Sequence, residues 1–272
     1  MDQRETSPVT APAPAPAAPT VVQLPLMRWG RTDASRRALL LHGLTSAAAC
    51  WWRVADELAE AGWSVTAPDQ RGHGLAPRTR RYDIEGFAAD ALALTPEGGG
   101  AWDLVVGHSL GGVVATAAAG AQPGWASRLL LLDPVITVSG GVEEFVRGTV
   151  TELKATEESL LRDHPEWHPE DVFLKVQAAH RTSPYVAESF LRNNTPWSYE
   201  KELTEYGGPV TVLAADPSHN PAFTADEGHR IGSAKADFHW TAVDGASHSV
   251  YRDNPAAVIA AALAGPEGQR QQ

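Results

Sequence analysis

The chain has 272 residues, of which 43% are hydrophobic and 20% charged, and 33 acidic against 22 basic side chains leave a formal net charge of −11. That length holds one full-sized core of ordinary globular composition, and the acidic balance argues against nucleic acid or an anionic membrane surface as partner. Cys50 is the one cysteine, which rules out a disulfide framework and a cysteine metal cluster and fits a reducing, cytoplasmic setting.

Residues 1–20 are dominated by Ala and Pro and lack a continuous apolar stretch, so they read as an extended, disordered tail rather than a secretory signal. Residues 21–29 suggest an edge strand. Apolar strand-like runs follow at 38–41, 64–67, 104–106, 129–132, 210–214 and 238–243, and helix-like segments lie at 50–61, 84–94, 110–121, 221–231 and 255–263. Asn254 and Pro255 supply an N-cap and a first helical position for the last of these. Strands alternating with helices imply an α/β fold, a mostly parallel sheet covered on both faces, and the all-Leu run 129–132 suits a strand buried on both sides. Its functional loops should gather at the carboxyl ends of the strands. No run approaches the length of a membrane-spanning helix.

The interval 139–207 breaks this rhythm. It holds no convincing buried strand, and 142–161, 169–180 and 185–193 carry apolar residues at helical spacing. The expected organisation is a core of 21–138 and 208–264, a helical lid over 139–207, and tails at 1–20 and 265–272. Trp167, Tyr185 and Trp197 in the interval, with Trp52 before it and His108, are candidates for the lining of a mostly apolar pocket. Packing the lid onto the core is the competing role for such aromatics.

Gly107-His108-Ser109-Leu110-Gly111-Gly112 follows one apolar run and precedes a small-residue helix. Strand, sharp turn with a serine at its tip, then helix is the setting of a Gly-x-Ser-x-Gly nucleophile elbow. A Cβ at 107 or 111 would crowd the turn. His42-Gly43-Leu44-Thr45-Ser46 follows the strand at 38–41, Asp69-Gln70-Arg71-Gly72-His73-Gly74 follows the next, and His248 precedes the last helix. There is no G-x-x-x-x-G-K-[ST] or G-x-G-x-x-G loop and no His-x-x-x-His helix, so neither cofactor nor metal is expected.

These motifs together resemble the α/β-hydrolase family, in its capped, esterase- or lactonase-like branch, over roughly residues 21–264. The resemblance implies Ser109 as nucleophile, His248 as base, and an oxyanion hole made by the backbone amides of Leu44 and Leu110. It places the lid after the strand 129–132, the sixth in the family's count. Two aspartates compete for the triad acid. Asp133 ends the strand 129–132, and Asp216 follows the strand 210–214. Most relatives take the acid from a slot that falls here on Ser218, so Asp133 is favoured and Asp216 is the alternate. The implied activity is cleavage of a carboxylic ester or lactone of a small, largely apolar compound through an acyl-enzyme. Thioester, carbon–carbon or perhydrolytic chemistry on the same triad is the alternative, as is a ligand receptor built on a hydrolase scaffold.

Overall fold

In the computed structural model, residues 19–264 are described; the segments 1–18 and 265–272, expected as tails, lie outside them. The chain runs β1 (Leu26–Trp29), β2 (Arg36–Leu41), a 3-10 turn (Ala48–Trp51), α1 (Trp52–Glu60), β3 (Trp63–Pro68), α2 (Ile84–Leu92), β4 (Leu104–His108), α3 (Leu110–Ala121) and β5 (Leu129–Leu132). It continues through β6 (Thr137–Val138), α4 (Val142–Glu152), α5 (Glu157–Asp163), α6 (Pro169–Arg181), α7 (Pro184–Asn194), β7 (Trp197–Ser198) and α8 (Glu200–Glu205). It closes with β8 (Val210–Ala214), α9 (Ala225–Ala234), β9 (Phe238–Ala242), α10 (Val250–Asp253) and α11 (Pro255–Leu263).

Seven strands form one sheet in the order β1-β3-β2-β4-β5-β8-β9. Only β1 is antiparallel to its neighbour. Successive side chains of the central strands point to opposite faces. Leu39, Leu41, Val105, Leu129 and Leu131 therefore join the core under α2 and α3, while Ala38, Leu40, Val106, Leu130 and Leu132 join the core under α1 and α11. Both faces are covered, which is why these strands are apolar throughout.

From β2 the chain steps outward to β3 and then returns to β4 on the other side. The strand order reverses between β2 and β4, and the loops leaving their carboxyl ends flank the resulting crevice. Leu41 stands in register with Gly107, so the 42–46 loop and the Ser109 turn emerge side by side.

Several expectations need revision. The strand 129–132 is the fifth of this chain, since β1 alone supplies an antiparallel edge among the described residues. The expected helix 142–161 is two helices. Thr156 accepts from the Ser159 amide and the Ser159 hydroxyl accepts from the Thr156 amide, a capping box that starts α5 afresh. The interval 139–207 also holds a strand, β7, paired antiparallel with β6, too short for any period-two pattern to reveal it. A second capping box, Thr224 with Glu227, sets the start of α9 four residues later than expected.

The boundary of the N-terminal segment also shifts. The Thr20 carbonyl accepts from Arg71, and the Val22 amide donates to Asp90. Arg71 and Asp90 form a buried bidentate pair, at 2.6 and 2.8 Å. Arg71 thus braces the loop after β3 from the interior. Asp90→Ala strands the Arg71 guanidinium in the interior, and urea unfolding should read a loss of about 3–5 kcal/mol; a loss below about 1 kcal/mol would contradict this account.

Candidate active site

The elbow is held open by two close backbone approaches. A Cβ on Gly107 would run into the Gly111 carbonyl, and one on Gly111 into the Leu41 carbonyl. Between them Ser109 adopts φ 52°, ψ −115°, a conformation that costs a non-glycine residue about 1–3 kcal/mol and survives only where surroundings impose it. Its amide donates to the Leu132 carbonyl at 3.1 Å, and its carbonyl accepts from Gly112 at 2.9 Å. The hydroxyl sits at the first turn of α3, with 8% of the residue exposed.

Asp133 directly follows β5 and is fully buried, with φ 38°. One carboxylate oxygen accepts from the Ala215 and Phe223 amides, both at 3.1 Å, and the other from the Ala222 amide at 2.9 Å. The second oxygen also accepts from His248 Nδ1 at 2.6 Å. That bond assigns the proton to Nδ1 and leaves Nε2 as the free, basic nitrogen. Asp216 is elsewhere. It caps a short 3-10 turn, accepting from the Ser218 amide and hydroxyl and from the Gly245 amide, and these bonds pull it down to about 2. Its two oxygens are spent on bracing its own loop.

The 42–46 loop is held from the core side. The Gln70 amide donates to His42 Nε2 at 3.0 Å, so His42 Nδ1 carries the proton and donates to the Gly43 carbonyl at 2.8 Å. That carbonyl belongs to the peptide unit whose N–H is Leu44's. Neither the Leu44 nor the Leu110 amide has an acceptor among the described residues. Ser109 Oγ and His248 Nε2 make no hydrogen bond to each other.

The profile of the Alpha/beta hydrolase family matches residues 38–262. The chain belongs to the alpha/beta hydrolase family. It is similar to the lipase LipV of Mycobacterium tuberculosis, with 35% identity over 44% of this chain and 45% of the lipase, so the match spans less than half of that relative. It is also similar to a pyrethroid hydrolase of Sphingobium wenxiniae, with 26% identity over 74% of this chain and 86% of that protein. Among solved structures, an N-formylmaleamic acid deformylase from Pseudomonas putida S16 superposes with a TM-score of 0.72 at 23% identity, covering 89% of this chain and 96% of that one; this likeness speaks for the fold alone. No helix among the described residues is long and apolar enough to cross a membrane.

In this alpha/beta hydrolase the aromatic candidates have structural employment. Trp167 is buried, donates from Nε1 to Asp253 and stacks on His164 at 4.0 Å. Trp197 is buried against Phe190 and donates to the Val135 carbonyl. Trp52 donates to Asp171 at 2.9 Å. Tyr185 lies exposed, its hydroxyl on the Arg80 carbonyl. His108 is buried beside His248, donating from Nε2 to the His248 carbonyl at 2.8 Å. The ligand atoms of His164, Glu166 and Asp253 lie within 4.8 Å of one another, but Asp253 already accepts from Trp167 and from the Ser247 amide and hydroxyl.

Sequence reasoning missed Lys175 and reached Gln70 only as part of the Asp69–Gly74 motif. Gln70 carries no signal beyond its place after β3. Lys175 does carry one, because a lysine interrupts the buried stripe Val172, Val176 and Ala179 of α6.

Burial holds His42 down at about 4 and His73 at about 3, and it pushes His108 well below its ordinary value, aided by the neighbouring His248. All three folded values lie below the unfolded value of about 6.5. The fold therefore keeps its full stability above that pH and loses it as pH falls through the window from about 6.5 to 4, where the unfolded chain binds protons that the folded chain refuses. Unfolding at pH 5.5 should take up about two to three protons, making stability fall by roughly 3 kcal/mol per pH unit there. Urea melts between pH 5 and 6 check this, and uptake below one proton would contradict the three neutral histidines.

Proposed function

We propose that this hydrolase cleaves a carboxylic ester or lactone of a small, largely apolar compound through Ser109, His248 and Asp133. The observation that carries the reading is the 2.6 Å bond from His248 Nδ1 to a buried, fully hydrogen-bonded Asp133, beside a serine held at φ 52° on a strand-to-helix turn. Similarity to a lipase and a pyrethroid hydrolase supports the hydrolytic reading.

Substrate binding brings the reacting carbonyl carbon against Ser109 Oγ and draws the hydroxyl to His248 Nε2, a hydrogen bond that often tightens only in the complex. His248 takes the proton as Ser109 attacks, and Asp133 stabilises the imidazolium. The tetrahedral oxyanion lies on the free amides of Leu44 and Leu110, and each such donor is worth about 3–4 kcal/mol in the transition state. His248 then protonates the leaving alkoxide. Water releases the acyl group by the same relay in reverse, with His248 as base. The helices α4–α7 serve as the lid that excludes bulk water. The proposed compartment is the cytoplasm, in keeping with Cys50 as a buried free thiol.

A fluorophosphonate probe should modify folded protein at Ser109, read by peptide mass spectrometry. Absence of label there sinks the reading. Asp133→Asn should lower kcat on an activated ester such as p-nitrophenyl butyrate roughly ten-thousand-fold. Asp216→Asn should leave kcat within about threefold, since its bonds stay within its own loop; the reverse ranking would move the acid to Asp216.

A further inference from the structure

The helical insert reaches the loop that carries the Leu44 amide, and it does so with a buried charge. Lys175 on α6 is 8% exposed. Its ammonium donates to Thr45 Oγ1 at 2.7 Å and to Glu152 at 3.1 Å, and it lies 3.4 Å from the Thr45 carbonyl. Thr45 Oγ1 donates in turn to the same Glu152 oxygen at 2.8 Å. Groups from α4, α6 and the 42–46 loop therefore close a ring of charge-assisted bonds.

The position of Thr45 gives that ring its consequence. The Ser46 amide donates to the Gly43 carbonyl at 3.3 Å, which makes 43–46 a tight turn with Thr45 as its third residue. Thr45 has φ 62° and is fully buried. A turn with positive φ at that place ordinarily takes Gly or Asn, and a β-branched residue there is a true outlier that surroundings must enforce. The Gly43 carbonyl at the head of this turn is the far end of the peptide unit whose N–H is Leu44's. Fixing Thr45 in the left-handed corner holds Ser46 on Gly43, and so sets the direction of the Leu44 amide. His42 Nδ1 pins the same carbonyl from the core side. A methionine at 175 would continue the apolar stripe of α6 with no charge to desolvate, so packing alone does not account for a lysine there.

We propose that Lys175 and Glu152 are positioning residues of the oxyanion hole: by holding Thr45 from α6 and α4, they aim the Leu44 amide, and the hole is complete only when the insert is seated. This inference rests on the serine hydrolase reading above.

The test compares Lys175→Met, Thr45→Val and Thr45→Ser with the wild-type chain on p-nitrophenyl butyrate, alongside fluorophosphonate labelling of Ser109. Thr45→Val keeps the shape and β-branching and removes only the hydroxyl. Both Lys175→Met and Thr45→Val should lower kcat about 10- to 100-fold, part of what outright loss of one oxyanion donor costs. KM should stay within threefold, Ser109 should still accept the probe, and Thr45→Ser should recover at least a third of the wild-type kcat. Should Lys175→Met fail to fold, Thr45→Val alone decides the outcome. A kcat within twofold of wild type in the folded variants overturns the proposal while leaving the hydrolase reading standing. A fall in kcat matched by an equal rise in KM also overturns it, since that marks general loosening of the site. A wild-type chain that neither turns over the ester nor labels at Ser109 removes the hydrolase reading itself, and the proposal with it.

Discussion

The closest constraint in the molecule is the contact between the first turn of α3 and the end of β2. Gly111 lies so near the Leu41 carbonyl that no Cβ fits between them. Leu41 is the last residue of β2 and Gly111 the second of α3, so this one approach fixes the helix against the neighbouring strand. It also constrains Ser109, which bridges β4 and α3 at φ 52°. The 42–46 loop begins one residue past Leu41 and is delivered beside Ser109 by the same contact. A strained serine and a free amide on the adjacent loop thus descend from one glycine, and the strain is sustained by β2, β4 and β5 together.

What a sequence discloses here depends on how local the physics is. The core strands were legible because burial on both faces forces uninterrupted Leu, Val and Ala, and α11 because Asn254 caps it through the Ala257 amide. The elbow was legible because two steric exclusions leave a glycine signature. The break between α4 and α5 was encoded in Thr156 and Ser159 and overlooked, because apolar spacing carries through it. β7 was illegible in principle, since its partner β6 lies about sixty residues away and each strand has two residues. Asp133 and Asp216 looked alike because each follows a strand. What separates them is the trio of amides around Asp133, two of which come from 222 and 223, far along the chain. The indoles of the insert were legible only as apolar bulk, whereas each N–H also needed an acceptor, which composition does not name. That demand holds Trp167 to Asp253 and Trp197 to Val135.

Polar groups around the site are arranged in pairs that leave little freedom. His42 has to be neutral, because its Nε2 accepts from Gln70, and burial keeps it so. His108 donates to the backbone of His248, so the residue before Ser109 supports the loop that carries the His248 imidazole. Any shift of the elbow along β4 would pull on His248. Ser109 and His248 are thereby coupled through a hydrogen bond that involves neither the Ser109 hydroxyl nor the His248 ring.

The loop after β5 explains how Asp133 can stand there. Asp133 needs positive φ, and a segment free at one end would relax out of it. Here both ends are tied. The Asp133 amide donates to the Leu213 carbonyl at 2.8 Å, and the Val135 amide reaches the Ser109 carbonyl at 3.4 Å. Pro134 packs over Gly112, where a Cβ would stand 2.5 Å from its ring. Just beyond, the Val135 carbonyl accepts from Trp197 and the Ile136 carbonyl from the Tyr199 amide, both from the far end of the insert. The insert therefore departs and returns at the segment that carries Asp133. Its middle helices meanwhile grip Thr45 beside Leu44, and Trp167 holds Asp253, which in turn holds Ser247 next to His248. One helical insert is anchored to the loops that carry Asp133, His248 and Leu44, so a displacement of its helices is felt at each of them, while Ser109 is set chiefly by β2, β4, β5 and the first turn of α3.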